Sequence, residues 1–347
     1  MKKIRFKYIL LVVILLSSVL MTIAVAKTKD NKITNSAISD STVNEYLQIT
    51  GLSYANGTDD KDGLISVLYL YSMKDKTMKE IFRAPANPEY PVVFADFEQG
   101  AVFFSDQAVG DNWDNLFSYD IKSKAITQIT DGKFLFNDLF MANNNLIITV
   151  APQYKIAIQP AIFDTKTHEF QYLNPDDDDT LVFSLSYNHR TQELLSLTCS
   201  NEEMRSYKVV AETHIRPKTL HLMNADFSNY RPIFTTDQFE ICFSRQLDEN
   251  RILMTVESSM ISMEPRKLKV LYLDSLQIDD FDIPEILEVS SFFPTYDTRG
   301  VFVMGKDINN HFGLFYYDTA TKELTEIFEQ SKSSDYINLI DFVYYVE

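Results

Sequence analysis

From residue 45 to the end, the chain is a succession of short apolar runs, rich in β-branched and aromatic residues, separated by polar turns. No long stretch keeps a helical period, so the pattern predicts strands almost throughout. One phrase recurs six times: an apolar run ends in Tyr-Asp or a near relative, turns through a few polar residues, and resumes. It reads Leu68-Tyr69-Leu70-Tyr71-Ser72, Leu116-Phe117-Ser118-Tyr119-Asp120, Ala161-Ile162-Phe163-Asp164, Leu220-His221-Leu222-Met223-Asn224, Val270-Leu271-Tyr272-Leu273-Asp274 and Leu314-Phe315-Tyr316-Tyr317-Asp318. The turn residue falls at 72, 120, 164, 224, 274 and 318, at intervals of 48, 44, 60, 50 and 44. A repeat of that length with strands inside it predicts a β-propeller.

A second strand pair lies between successive copies, with turns at 98–100, 143–145, 189–190, 248–250 and 297–300. The Asn, Asp and Gly residues at these turns suit hairpins. Together the pairs predict an all-β, six-bladed propeller of four-stranded antiparallel blades. Five blades run in order, about 91–130, 134–173, 181–235, 238–288 and 291–328. The sixth is expected to be split between an inner pair at 336–346 and an outer pair at 67–82. Joining N- and C-terminal strands would close the ring and leave no open edge. The strand near 48–54 is surplus to this count: it extends the closing blade or replaces its second strand.

This pattern resembles the TolB-like six-bladed propellers. There a Tyr-x-x-Asp strand is followed by a short outer strand ending in Leu-Thr or Ile-Thr, as in Leu116 to Thr130 with Tyr119-Asp120 and Ile129-Thr130. The Ser-Pro-Asp-Gly of that family's first half is absent from every blade. The resemblance covers about 45–347. It implies a scaffold that mostly binds proteins and is sometimes joined to a hydrolase domain. The blades consume this chain, and no Gly-x-Ser-x-Gly elbow is present.

The first 26 residues break the pattern. Lys2, Lys3, Arg5 and Lys7 precede an uncharged, mostly apolar run from Tyr8 to Ala26. This predicts an apolar helix that is an export signal or an N-terminal membrane anchor. Ala24-Val25-Ala26 fits cleavage before Lys27, whereas the length of the run approaches a membrane span. No Cys near it supports lipidation. Residues 27–44 are polar and aperiodic and read as a flexible linker, so 45–347 is expected outside the cytoplasm, secreted or held by a single-pass anchor. Without the four basic residues of the leader, the remainder carries 28 basic against 49 acidic residues, a net charge of −21. Such a surface repels nucleic acid and anionic lipid. Cys199 and Cys242 fall on different predicted blades, where they form a disulfide or stay as two apolar thiols.

The topology also sorts the loops. In a four-stranded meander, connections between the second and third strands, and between blades, share one face. Here those connections are long: 83–90, 106–115, 152–158, 174–180, 200–218, 257–267 and 305–312. Long loops on a rigid scaffold are where binding concentrates. Candidate binding residues on this face are Trp113, the only Trp, with Asp111 beside it, and the basic cluster Arg205, Lys208 and Arg216. Trp113 suits a partner or sugar contact, or caps its own blade. The basic cluster holds an anionic ligand or pairs with the acidic run Asp176–Asp179 next door. Within 200–218, Ser200-Asn201-Glu202-Glu203 matches a capping box, while Tyr207-Lys208-Val209-Val210 favours an extra strand.

The carboxylates Asp176–Asp179 lack an EF-hand spacing. The five histidines lack metal spacing. His168 and His189 are expected to be solvated at turns, and His221 packed within a strand. No cofactor motif is present and no cofactor is expected. The reading is an extracytoplasmic, non-enzymatic propeller that binds a protein or peptide on its long-loop face. The alternatives are a propeller hydrolase or lactonase with a metal at the channel, or a carbohydrate-binding module. The enzyme would need three or more acidic, Asn or His side chains from different innermost strands to converge. The innermost-strand acids are Asp96, Asp138, Glu240, Asp297 and Asp341.

Overall fold

Alternation of apolar and polar residues makes nearly every element a strand, and a repeated turn fixes where each strand ends. The computed structural model describes residues 43–54, 64–85, 91–107, 113–155, 157–205, 214–329 and 337–347. The first three strands are β1 (Glu45–Tyr54), β2 (Leu64–Ser72) and β3 (Thr77–Pro85). Next come β4 (Val93–Asp96), β5 (Ala101–Gln107), β6 (Asp114–Asp120) and β7 (Ile126–Gln128), then β8 (Phe134–Ala142), β9 (Asn145–Pro152), β10 (Gln159–Asp164) and β11 (Glu169–Tyr172). A third set is β12 (Thr180–Asn188), β13 (Glu193–Ser200), β14 (Lys218–Asn224) and β15 (Arg231–Thr236), with the short helix α1 (Asn201–Arg205) between β13 and β14. The last sets are β16 (Glu240–Gln246), β17 (Arg251–Glu257), β18 (Lys267–Tyr272) and β19 (Ile278–Asp280), and β20 (Ile286–Pro294), β21 (Gly300–Asp307), β22 (Phe312–Asp318) and β23 (Leu324–Glu329). The strand β24 (Ile337–Val346) ends the chain.

These strands form four antiparallel sheets of four strands and one of eight. The eight-stranded sheet consists of two meanders, β4–β7 and β8–β11, joined at a single residue pair, Asp114 with Phe134. The arrangement is propeller-like. Apolar clusters lie between successive sheets: Leu195, Leu197 and Leu220 with Ile241, Ile252 and Met254, then Leu253 and Val270 with Phe292 and Val301. The last sheet meets the first through Phe293 with Phe342 and Phe302 with Tyr344, ring centroids 5.3 and 5.8 Å apart.

The recurring turn has a physical cause, shared by four copies of the Tyr-Asp phrase and two of the hairpins between them. In six hairpins a Ser, Asp or Asn side chain accepts amide hydrogens two or three residues on: Ser72, Asp96, Asp120, Asp164, Asn188 and Asp318. Four residues after each lies a left-handed residue: Lys76, Gly100, Lys124, His168, Gln192 and Lys322, with φ between 51° and 66°. The side-chain acceptor holds a turn that most residues enter only at a cost, so the fold manages with nine glycines.

Two boundaries differ from the sequence reading. The closing sheet runs β24-β1-β2-β3, so β1 is its second strand and the C-terminal segment is one strand, not a pair. Residues 337–346 contain no left-handed residue to reverse them; the extra residue, Ile340, makes a bulge opposite Thr50 and Gly51. Likewise Ile286 opens β20 rather than ending the sheet before it. The 1–26 segment lies outside the described residues, and among those described no helix is long and apolar enough to cross a membrane.

Candidate functional site

The innermost strands of the sheets line a central channel, and a shared irregularity aims their side chains. β8, β12, β16, β20 and β24 each carry a bulge, which shifts the following residue: Asp138, Ser184, Phe243, Ser291 and Asp341. A hydroxyl on the second strand satisfies the amide that such a bulge leaves over. Thr149 accepts from the Asp138 amide at 2.8 Å, and Thr255 from the Phe243 amide at 3.1 Å. Thr149 then donates its own proton to Asp138 Oδ2 at 2.7 Å.

Three charged side chains line the channel cavity: Asp138 from β8, Asp341 from β24 and Arg245 from β16. The cavity holds about 50 Å³ of water-accessible space, room for a few water molecules. It closes toward the short hairpin turns. There Tyr344 donates to Glu45 Oε2 at 2.6 Å and accepts from the Tyr296 amide at 2.8 Å. His189 sits edge-on to Tyr187, Tyr344 and Tyr345. At the other end Leu135, Asn137, Leu287, Ile340 and Asp341 are exposed, so the channel opens on the long-loop face.

Arg245 is 6% exposed. Its Nη1 donates to the Ser244 carbonyl at 2.9 Å, its guanidinium lies 4.3 Å from the Phe293 ring centre, and its Nε has no partner. No ion pair links it to either aspartate. Burial raises Asp138 from 3.8 to about 6, against the Thr149 hydrogen bond and the charge of Arg245. Asp341 is exposed where the channel opens, yet the groups packed round its carboxyl also raise it, again opposed by Arg245.

This arrangement has a consequence for stability. Because Asp138 holds its proton more tightly folded than unfolded, between about pH 4 and about pH 6 the folded chain binds a proton that the unfolded chain lacks. Its contribution therefore favours folding on the acid side and fades as pH rises through about 6. Asp138→Asn keeps an acceptor for Thr149 and removes the titration. It is expected to stabilise the protein at about pH 7.5 by on the order of 2 kcal/mol and to change it little near about pH 4. Urea denaturation at both pH values checks this; an equal effect at both would reject the assignment.

The other innermost-strand acids are used elsewhere. Asp96 and Asp297 accept turn amides, and Glu240 is buried against Lys218 and Arg216. Two of the five acids thus reach the cavity, and among the described residues no three His, Cys, Asp or Glu side chains group as metal ligands. Arg245, the cation of the site, carried no sequence signal, since it reads as the polar end of an amphipathic strand.

The described sequence candidates, Trp113, Arg205 and Arg216, do not line the channel cavity. Trp113 is half-buried just before β6, and Arg205 is exposed at the end of α1. Asp111 and Lys208 lie outside the described residues, as does the strand expected at 207–210. Arg216 is tied to Glu240, with Nη2 3.1 Å from Oε2. The capping box forms: Ser200 Oγ accepts from the Glu203 amide at 3.0 Å. The acidic run is structural. Asp177 accepts from the amides of Asp179 and Thr180, Asp179 from Ser200 and the Glu202 amide, and Lys155 pairs with Asp178 at 2.8 Å.

His221 stacks on Tyr230 at 4.5 Å as a packed histidine should. His189 is not solvated, because the rings around it exclude water. Burial lowers it to about 4, against a contact with the Tyr344 carbonyl, so it is neutral at pH 7. Cys199 and Cys242 are unpaired, and burial raises both to about 11.

The fold recurs in solved structures. TolB from Acinetobacter baumannii matches with a TM-score of 0.55 and 10% identity, covering 88% of this chain and 67% of that one. At the level of fold, the chain resembles the TolB-like propellers. A putative TolB from Agrobacterium tumefaciens matches at 0.52 and 7% identity, covering 88% and 98%. Hydrazine synthase from Kuenenia stuttgartiensis matches at 0.57 and 11% identity, and this chain, covered over 88%, spans only 47% of it. No protein-family model matches the sequence, and no curated protein does.

Proposed function

We propose that this chain is an extracytoplasmic, non-enzymatic, six-bladed propeller that binds a protein or peptide partner on its long-loop face. Six blades follow if the eight-stranded sheet counts as two, which its single linking pair supports. The extracytoplasmic placement rests on the basic and apolar pattern of residues 1–26.

The observation that carries the binding reading is where exposed apolar side chains fall. Among the described residues ten large hydrophobics are exposed. Eight of them, Leu135, Tyr154, Met260, Ile261, Met263, Leu287, Ile308 and Ile340, lie toward the long-loop end of the sheets, and only Ile126 and Leu276 lie toward the short turns. This sorting of exposure to one face supports reading that face as the interaction surface. Met263 is 98% and Tyr154 91% exposed, so neither contributes to the core. Trp113, Asp111, Arg205 and Lys208 would add an aromatic anchor and charge to the same face.

The test is capture from the native cell envelope after cross-linking. The pair Ile261→Asp and Met263→Asp is expected to lose the captured partner, and Trp113→Ala to weaken it by about 1–2 kcal/mol. Charge reversal at Arg205 should change the on-rate and its salt dependence. At the exposed positions Ile261, Met263 and Arg205, stability should change by no more than about 0.5 kcal/mol. Arg299→Glu, on the short-turn face, is the control; if it removes the same partner, the assignment of the face is wrong.

A further inference from the structure

The channel presents an unusual set of unmatched groups just inside its long-loop opening. Arg245 is nine-tenths buried and lines the cavity, and beyond the Nη1 bond to the Ser244 carbonyl its guanidinium holds no acceptor. Asp138 uses one oxygen for the Thr149 hydroxyl, and neither it nor Asp341 forms an ion pair with Arg245. A triad built only to hold three sheets together would close these pairs directly, since a buried charge without hydrogen bonds is costly. Two carboxylates and one guanidinium leave the site with one excess negative charge. The apolar walls, including Phe94, Leu139, Leu185 and Phe342, raise the weight of that charge.

A guest that matches must bring one positive charge for the aspartates and, close to it, an acceptor for Arg245. A simple anion would face two carboxylates. A lysine ammonium satisfies the aspartates but carries no acceptor beside it for the guanidinium. We propose that the channel binds an α-ammonium group with a carbonyl on the next carbon, the head group shared by a peptide N-terminus and a free α-amino acid. The ammonium lies between Asp138 and Asp341, the carbonyl or carboxylate oxygen meets Arg245, and the first side chain, a small one given the volume, rests on the apolar wall. This inference rests on the reading of the long-loop face as the binding face, because the channel opens there.

Titration calorimetry on the full-length protein tests it with three probes: trialanine amide, its N-acetyl form, and free alanine. The free-amine peptide is expected to bind and the acetylated one to bind at least about tenfold more weakly, since acetylation removes the charge the aspartates recognise. Asp341→Asn, at a water-exposed position where folding should be unaffected, is expected to lose at least about tenfold in affinity for the free amine. Alanine binding as well as the peptide identifies a free amino acid as the source; binding of the peptide alone identifies a partner's N-terminus. Equal binding of the amine and acetylated peptides, or no heat from either amine probe at millimolar concentration, overturns the inference. That failure with face-specific capture intact sinks this inference alone. Amine binding with capture indifferent to the long-loop variants sinks the long-loop reading alone.

Discussion

A chain ending before Ile337 is expected to be insoluble or rapidly degraded, although the deletion removes under a twentieth of the sequence. The missing strand, β24, is the innermost strand of the closing sheet and pairs with β1 from Glu45 to Ser53. It buries Leu339, Phe342 and Tyr344. Full burial of such side chains contributes about 1.5–3 kcal/mol each, so three of them with their ladder approach the whole stability of an ordinary domain, roughly 5–15 kcal/mol. Tyr344 also ties Glu45 to Tyr296. Removing β24 would bare the edge of β1 and the faces of two sheets, which invites edge-to-edge aggregation. Solubility and melting temperature of the truncated chain check this. A soluble product melting where the full chain melts would contradict ring closure through β24.

The blades were legible because their signal is local. A side-chain acceptor followed four residues later by a left-handed residue needs only neighbours in sequence, as at Asp120 with Lys124 and Asp318 with Lys322. The closing sheet was half legible, because pairing β24 with β1 joins residues almost a chain length apart, and nothing within either strand encodes its partner. The site was least legible. Asp138 and Asp341 could be listed as innermost-strand acids. What brings them to one cavity is a bulge one residue earlier, at Asn137 and Ile340, and apolar alternation does not reveal a bulge. Arg216 was hard to place for the opposite reason. In sequence it belongs to a basic loop, and its carboxylate partner lies on the next innermost strand.

That partner carries the second large effect. Glu240→Ala is expected to cost roughly 3–5 kcal/mol, because it strands a buried cation. Glu240 and Lys218 are each 1% exposed, and Lys218 Nζ lies 3.0 Å from Glu240 Oε2. Nζ also donates to the Ile241 carbonyl at 2.6 Å and sits 4.3 Å from the centre of the Phe183 ring, with Arg216 4.9 Å from the same ring. Burial alone would raise Glu240, but Lys218 and Arg216 overcome it and hold the carboxyl below its usual range. Burial pulls Lys218 down, Arg216 adds to this, and Glu240 opposes both. The carbonyl, carboxylate and ring that surround the ammonium favour its charged form. A depressed carboxylate stabilises the fold above its unfolded pKa, and that contribution is lost as pH falls through its folded pKa. Lys218→Met should be milder than Glu240→Ala, since Arg216 still neutralises Glu240, and Lys218→Met with Glu240→Leu should recover part of the single-mutant loss. Thermal denaturation of the three variants decides; a Glu240→Ala protein melting within about 2 °C of the parent would show the network to be dispensable. The network also fixes the end of the 200–218 connection to the wall of the channel through Arg216 and Lys218. Losing it should therefore loosen the long-loop face as well as the core, and partner capture by Glu240→Ala should fall even at temperatures where the rest of the protein stays folded.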